Sequence, residues 1–559
     1  MRVRYNQGGL FFYMRQTRVP SRWTALYWLI SVLVICAAIL SAAPAGFAAS
    51  APPGPDRYKV VTLDYTAHTW LLVTFKGNHV ACKIVIDHDG KPTITETYED
   101  CGDEITEEWI AQDPCLTPTN SNQCDGYYIY YLGNRPAKKE VPMELPAASA
   151  WLSLQDCSPV SSLSTNVCEF VPKLLITGQE PLTEYTITYV EGYLNGKKFL
   201  CSGQTCLVEL EPTTEKGVPI EFWAYSSYGD TSKRYTGTVR VSTATFGNPD
   251  DVSYFVDVLS SQWTGQPLAS CAESWRVLPP VGGPPAWLAT PNEASGLATN
   301  IPYSYLAANL IRKGVVDTSA CSDRGLSPDG LTASACGLTA ARDAVNDWQN
   351  RFDGLILDVA RSTGVPAQTL KNLFARESQF WPGVILTGGD TGLGQITDKG
   401  ADTTLLWNPS FYSQFCPLVL SGETCSTSYK DLELEQQETL RYALVQSVNA
   451  TCADCPLGID IDRANFSVTV FAHTLMANCE QAAQVVWNYN GKKTAGDLGI
   501  TYEDMWKFTL VNYNAGGGCL ASAFEEAAKK SEPLTFDRIS LYLSPACQGA
   551  IDYVNDISK

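Results

Sequence analysis

The residues best equipped for chemistry lie in the run Leu370 to Pro382, LKNLFARESQFWP. At helical spacing Leu370, Leu373, Phe374 and Glu377 occupy i, i+3, i+4 and i+7, so a carboxylate completes an otherwise apolar stripe. Val365-Pro366 can start that helix, and Pro382 limits its far end. A glutamate on such a face looks into a core or a cleft. Burial disfavours its charged form and lifts its pKa above the free value of about 4.3. A carboxyl kept protonated near neutral pH is a general acid for a leaving group. The bland alternative is a solvated or capping glutamate at a helix end. Two further blocks bear on the choice. Gly392-Leu393-Gly394-Gln395-Ile396 follows, with Gln395 18 residues after Glu377, and Tyr513-Asn514-Ala515-Gly516 comes much later. The last block also reads as a plain helix end with Asn and Gly in terminal places.

In this order, E-S-x-F-x-P from Glu377, G-L-x-Q-[IL] from Gly392 and Y-N-A-G from Tyr513 resemble the soluble lytic transglycosylase branch of the lysozyme-like superfamily. The resemblance runs from near Arg342 to the end and says nothing about the first 300 residues. It implies a mainly helical lysozyme-like domain over 300–559, acting on peptidoglycan glycan strands without a cofactor or a metal. Glu377 would be a single acid and base, cleaving the bond between N-acetylmuramic acid and N-acetylglucosamine. The sugar's own C6 hydroxyl would close on C1 and leave a 1,6-anhydromuramoyl end. By the same resemblance Ser378, Gly392, Gly394, Gln395, Tyr513 and Asn514 bind substrate, with the tyrosine hydroxyl near the acid. Phe380, Trp381 and Pro382 fix the acid's backbone. Two departures stand out. Gly394 replaces a common methionine, and 118 residues separate Gln395 from Tyr513, a cysteine-bearing insertion that could form a lid or a stapled lobe. Three other classes stay open. A hydrolytic muramidase or chitinase-like enzyme would use water, with Asp390 or Asp398 as the second carboxylate. A non-catalytic wall-binding protein would keep the groove but tolerate loss of Glu377. An adhesive protein would work through its β domains.

Several elements must position these residues. Val345, Trp348, Phe352, Leu355, Ile356 and Val359 form one helical stripe, and helical patterns recur at 431–449, 463–488 and 501–512. Residues 544–557 read as a closing helix tied down by Cys547. Ahead of all this the period is two. Tyr58–Leu63, Trp70–Phe75, Lys83–Ile86 and Tyr127–Leu132 read as strands of a β-rich domain over 57–172, with no useful helical stripe. Strands at 173–177, 185–189, 205–210, 220–225 and 235–241 suggest an immunoglobulin-like sandwich over 173–245. As a module it is either a wall-binding unit or a spacer. Residues 246–299, with their Pro/Gly run at 279–285, read as a connector, although Trp263, Trp275 and Trp287 point to packing. The expected class is multidomain α+β, all-β in front and mainly helical behind.

With 40 basic and 59 acidic residues the net charge is −19, which argues against nucleic acid as partner. Protein partners are not legible. Arg2, Arg4, Arg15, Arg18 and Arg22 precede an apolar run at 25–43 and small residues to Ser50, the layout of an export signal over 1–50 or of an N-terminal membrane anchor. Export agrees with 19 cysteines, of which 18 remain after Cys36. Cys452-x-x-Cys455 prompts a zinc reading, but only four histidines exist and no HExxH occurs. An extracytoplasmic or secreted location is expected.

Overall fold

Two antiparallel sheets come first in the chain and helices follow. The computed structural model describes residues 57–111, 125–159, 166–245, 252–265, 268, 270–383 and 390–559. The signal or anchor expected over 1–50 lies outside the described residues. Among those described, no helix is long and apolar enough to cross a membrane.

The first sheet has the order β2-β1-β3, with β1 Tyr58–Thr74, β2 Val80–Ile86 and β3 Tyr127–Glu144. β1 and β3 pair along their whole length, from Tyr58 opposite Glu144 to Thr74 opposite Tyr127. The two short strands expected at 58–63 and 70–75 are therefore one. A helix at Ile94–Ala111 was not anticipated. It buries only Thr97 and Thr106 and bends at Gly102 (φ 77°), so it carries no apolar stripe for periodicity to detect. The Cys82–Cys101 disulfide pins it to β2.

The second sheet runs β4-β5-β11-β10-β9-β6-β7, with β8 on β5. Its strands are β4 Ser149–Pro159, β5 Asn166–Gln179, β6 Ile187–Leu194, β7 Lys197–Ser202, β8 Thr205–Glu209, β9 Val218–Ser226, β10 Tyr235–Thr245 and β11 Val252–Leu259. The boundary expected at 172/173 falls inside β5. Near one end β5 pairs with β11 (Val167 opposite Phe255) and near the other with β8 (Leu175 opposite Leu207). Pro172 sits between the two ladders, where its missing N–H costs nothing. The sheets instead part between 144 and 149. Leu152, Leu174, Ile176, Val190, Phe222, Val241 and Val256 make the core.

The expected connector at 246–299 is largely structure. Its residues 252–259 are strand β11, and Ser270–Trp275 is a helix stapled by Cys271–Cys479 to the long Ile461–Tyr489 helix. Trp275 and Trp287 are 0% and 3% exposed, part of the core of the helical region. A buried ion pair from Arg240 to Asp257, with Arg240 also donating to Pro279 O at 2.7 Å, fastens the same stretch to the sheet. The Pro/Gly run that suggested a connector thus sits among anchoring groups that meet only in three dimensions.

In the helical region the stripe from Val345 to Val359 is divided between Ala335–Asn350 and Asp353–Thr363. The acid helix is Ala367–Ser378. The closing helix Gly549–Ile557 packs against the acid helix, whose Phe374 meets Phe471 of the long central helix Ile461–Tyr489, and the Tyr502–Ala515 helix packs on both the central and the closing helix. Within the insertion, Leu434–Val448 packs beside Asp398–Trp407, and Thr404 Oγ1 donates to Thr474 Oγ1 of the central helix at 2.9 Å. Eight disulfides join the 16 described cysteines that pair, Cys416–Cys425, Cys452–Cys455 and Cys519–Cys547 among them, an inventory that fits an extracellular protein.

Candidate active site around Glu377

The acid helix is held from both flanks. Leu370, Leu373 and Phe374 are fully buried, as their spacing requires. Lys371 is buried too and donates to Asp353 Oδ1 at 2.5 Å, which ties the helix to its predecessor. Burial pulls the Lys371 ammonium down and pushes the Asp353 carboxyl up, so this pair anchors at the cost of desolvation. At the N-terminal turn, Ala367 N–H donates to Thr290 Oγ1 at 3.1 Å and Gln368 N–H to Ala289 O at 3.0 Å, so the supposed connector caps the helix.

The helix stops one residue after Glu377. Gln379 (φ 49°) and Phe380 (φ 62°) are consecutive non-glycine residues in left-handed conformations, a costly turn that its surroundings must hold. Gln379 Oε1 accepts from Tyr305 N at 2.8 Å, and Phe380 O accepts from Trp348 Nε1 at 2.8 Å. The Phe380 ring stacks on Phe352, and Trp381 stacks on Trp348. These contacts aim the last turn.

Glu377 is half-buried in a dense setting. Its carboxyl is pushed up to about 7, chiefly by burial, with Asp390 adding a push and Tyr553 and the Arg376 guanidinium pulling the other way. Tyr553 Oη donates to Glu377 Oε1 at 2.5 Å. Asp390 is itself raised by burial. Tyr513 lies within electrostatic reach, since Glu377 and Asp390 push its phenol well above its ordinary value after burial has done most of the work.

The glycine block forms a tight loop beside the acid. Thr391 and Ile396 close it by mutual backbone hydrogen bonds. A Cβ on Gly394 would stand 2.4 Å from the Phe471 ring, and one on Gly392 (φ 78°) 3.0 Å from the same ring. Glycine at both places lets the loop lie flat on the central helix. Tyr513 Oη donates to Gly394 O at 2.6 Å, so this hydroxyl holds the loop and the acid takes its bond from Tyr553.

The predicted site residues divide accordingly. Glu377, Gly392, Gly394, Gln395 and Tyr513 belong to one neighbourhood. Gln395 is half-buried, with Nε2 donating to Gly392 O at 2.6 Å across its own loop. Ser378 is fully buried, and its hydroxyl donates to Leu393 O at 2.7 Å, so it braces helix to loop and does not face a ligand. Asn514 is exposed at the end of its helix, where Gly516 (φ 85°) forms the cap. Asp398 serves in the first turn of the next helix. Sequence reasoning missed Tyr553. Its signal was present, because Ala550, Tyr553, Val554 and Ile557 repeat the i, i+3, i+4, i+7 stripe of the acid helix. A cavity of about 450 Å³ lies behind the acid helix, lined by Trp287, Gln368, Asn372 and Asp556, and Glu377 is not on its wall. Among the described residues no cluster of His, Cys, Asp or Glu has the makings of a metal site. No family model matches this chain, and neither the curated proteins nor the solved structures contain a match.

Proposed function

We propose that this chain is an exported lytic transglycosylase acting on peptidoglycan, with a lysozyme-like helical domain behind an immunoglobulin-like β module. One observation carries the reading: a carboxyl lifted to about 7 ends a buried helix, beside a glycine loop and within hydrogen-bonding distance of a tyrosine. Near neutral pH such a group is neither firmly protonated nor firmly ionised, as one residue serving as acid and then base requires. The order of the three sequence blocks supplies the substrate class, and the disulfides fit work outside the cell.

In the first step the Glu377 proton moves to the oxygen linking N-acetylmuramic acid to N-acetylglucosamine, and the C1–O bond breaks. The resulting carboxylate faces the oxocarbenium-like centre. It then takes the proton of the muramoyl C6 hydroxyl while that oxygen bonds to C1. The acid is regenerated, a 1,6-anhydro ring is formed, and no water is consumed. The nucleophile belongs to the sugar, so high effective molarity replaces a second protein nucleophile.

A second reading rests on Asp390, a carboxyl raised by burial in electrostatic contact with Glu377. Serving as base, it would direct water to C1 and make the enzyme a hydrolase. Muropeptides released from purified sacculi separate the two, because the hydrolytic product is heavier by one water than the anhydro product. Release of neither product, with retained wall binding, would leave a non-catalytic wall protein.

A further inference from the structure

One face of the second sheet carries a row of aromatic and charged side chains. Val190 of β6 and Phe222 and Ala224 of β9 point into the core, so Tyr189, Glu191 and Tyr193 and their partners Tyr225, Trp223 and Glu221 point outward. Tyr189 and Tyr193 are 47% and 37% exposed. The layer beneath them is firmly held. Tyr225 meets Tyr189 edge-on with ring centres 6.4 Å apart, and Trp223 lies 6.1 Å from Tyr193, with the Arg234 guanidinium 4.3 Å over its ring. Between the two tyrosines Glu191 is buried, accepting from Tyr225 Oη at 2.7 Å and paired with Lys198 Nζ at 2.5 Å. Burial pushes its carboxyl up, but Lys198 and Tyr225 outweigh that and hold it below its ordinary value, so it stays an ionised acceptor. The Tyr193 end opens onto a cavity of about 330 Å³, lined also by Glu221, Thr236, Thr238 and Arg276.

We propose that this face of β6 and β9, with the cavity at its end, is a second glycan-binding site that takes the sugar rings of a β-linked polysaccharide. The glycan class follows from the face itself, and the choice of wall glycan rests on the transglycosylase reading. A pyranose ring has an apolar C–H face rimmed by hydroxyls, so it suits an aromatic plane with donors and acceptors at its edge. Tyr189 and Tyr193 supply the planes, and the Glu191–Lys198 and Glu221–Arg234 pairs supply the edge. The area points the same way. Two rings at these exposures offer roughly 150–200 Å², against about 800 Å² per partner in a stable protein interface. Tyr189 and Tyr193 stand four residues apart on one strand, about 13 Å, so they serve separate units of an extended chain. The four charges also cancel in pairs, which leaves a neutral landing face on a chain of net charge −19.

The test uses the full chain carrying Glu377→Gln, so that binding is read without cleavage. Tyr189→Ala combined with Tyr193→Ala should weaken binding to purified sacculi about 10-fold, since one of two linked sites is lost. Phe170→Ala removes a ring that is 73% exposed on β5 of the same sheet and should leave binding within about twofold. 3-Fluorotyrosine placed at 193 reports the face without disturbing the fold. Its fluorine resonance should shift saturably on addition of tetra-N-acetylchitotetraose. Neither readout needs bond cleavage, so a chain that shows both effects but releases no muropeptide refutes the transglycosylase reading and leaves the glycan site standing. Unchanged sacculus binding in the double variant, an equal loss in Phe170→Ala, or an unmoved fluorine signal overturns the proposal. Self-association of the parent that the double variant abolishes also overturns it, and gives the face to a second copy of the chain.

Discussion

Glu377 and Glu273 are two carboxyls that burial lifts to about the same value, near 7, in different surroundings. Glu377 has a phenol on one oxygen, a guanidinium at its flank and a glycine loop beside it. Glu273 takes a backbone hydrogen bond from Ser261, has no partner for Oε1 among the described residues, and faces Glu480, a second carboxyl raised by burial, to which Ser270 Oγ donates at 3.4 Å. The Cys271–Cys479 bond forces those two acids together, and Trp275 Nε1 donating to Cys479 O at 3.1 Å keeps them there. Glu273 even lines a cavity of about 770 Å³, with Trp407 and Trp487. A raised pKa therefore marks desolvation alone. The neighbours of each carboxyl distinguish a site from a structural pair: a phenol and a glycine loop at Glu377, a second raised carboxyl and a disulfide at Glu273.

The sharpest way to break this contrast is to remove each proton in turn. Glu377→Gln should lower glycan cleavage by about 10³-fold or more with folding intact, whereas Glu273→Gln should leave the rate within about twofold. Comparable losses in both, measured on purified sacculi, would erase the distinction.

A third carboxyl extends the series in stability. Glu180 accepts from Arg57 at 2.8 and 2.7 Å, and that guanidinium, which also grips Asp230, holds the acid down at about 2. A lowered carboxyl contributes stability that is present above its unfolded value of about 4.5 and is lost as pH falls toward 2. Arg57→Ala should cost about 3–5 kcal/mol at pH 7 by denaturant unfolding and should flatten that acid limb.

For Glu377 and Glu273 the sign is opposite. The folded protein holds a proton that the unfolded chain has released between about 4.5 and 7, so stability falls as pH rises through that window. Each Glu→Gln variant should gain on the order of 2 kcal/mol over the parent at pH 8 and nothing below pH 4.5. Equal gains at both pH values would mean that burial is not what raises these groups.

Smaller effects probe the wall of the site. Gly394→Ala pushes a methyl into the buried Phe471 ring and should cost about 1–3 kcal/mol, with activity falling alongside. Asn514→Ala, at an exposed position, should change stability by less than about 0.5 kcal/mol while raising KM severalfold. An unchanged KM would remove Asn514 from the substrate contacts.

Much of this was legible along the chain. The stripe from Leu370 to Glu377 predicted both the helix and the inward carboxylate, because side-chain direction on a helix follows from local spacing. The strands at 83–86, 205–210, 220–225 and 235–241 were readable for the same reason, with a period of two. The helix at 94–111 was not readable, since an acidic helix with two buried threonines leaves no pattern. The division of 335–363 at Arg351 and Phe352 also escaped, because the apolar register continues across the break.

Sequence alone settled which faces turn inward, where glycine sits next to the acid, and that many cysteines await partners. Tertiary structure decided what each inward face meets. It joined Cys271 to Cys479 across 208 residues, turned the Ser378 hydroxyl onto Leu393 O, and brought Tyr553 to an acid 176 residues away. Periodicity is a local property of the backbone, whereas a hydrogen-bond partner is chosen by packing among distant segments, and spacing carries no record of that choice.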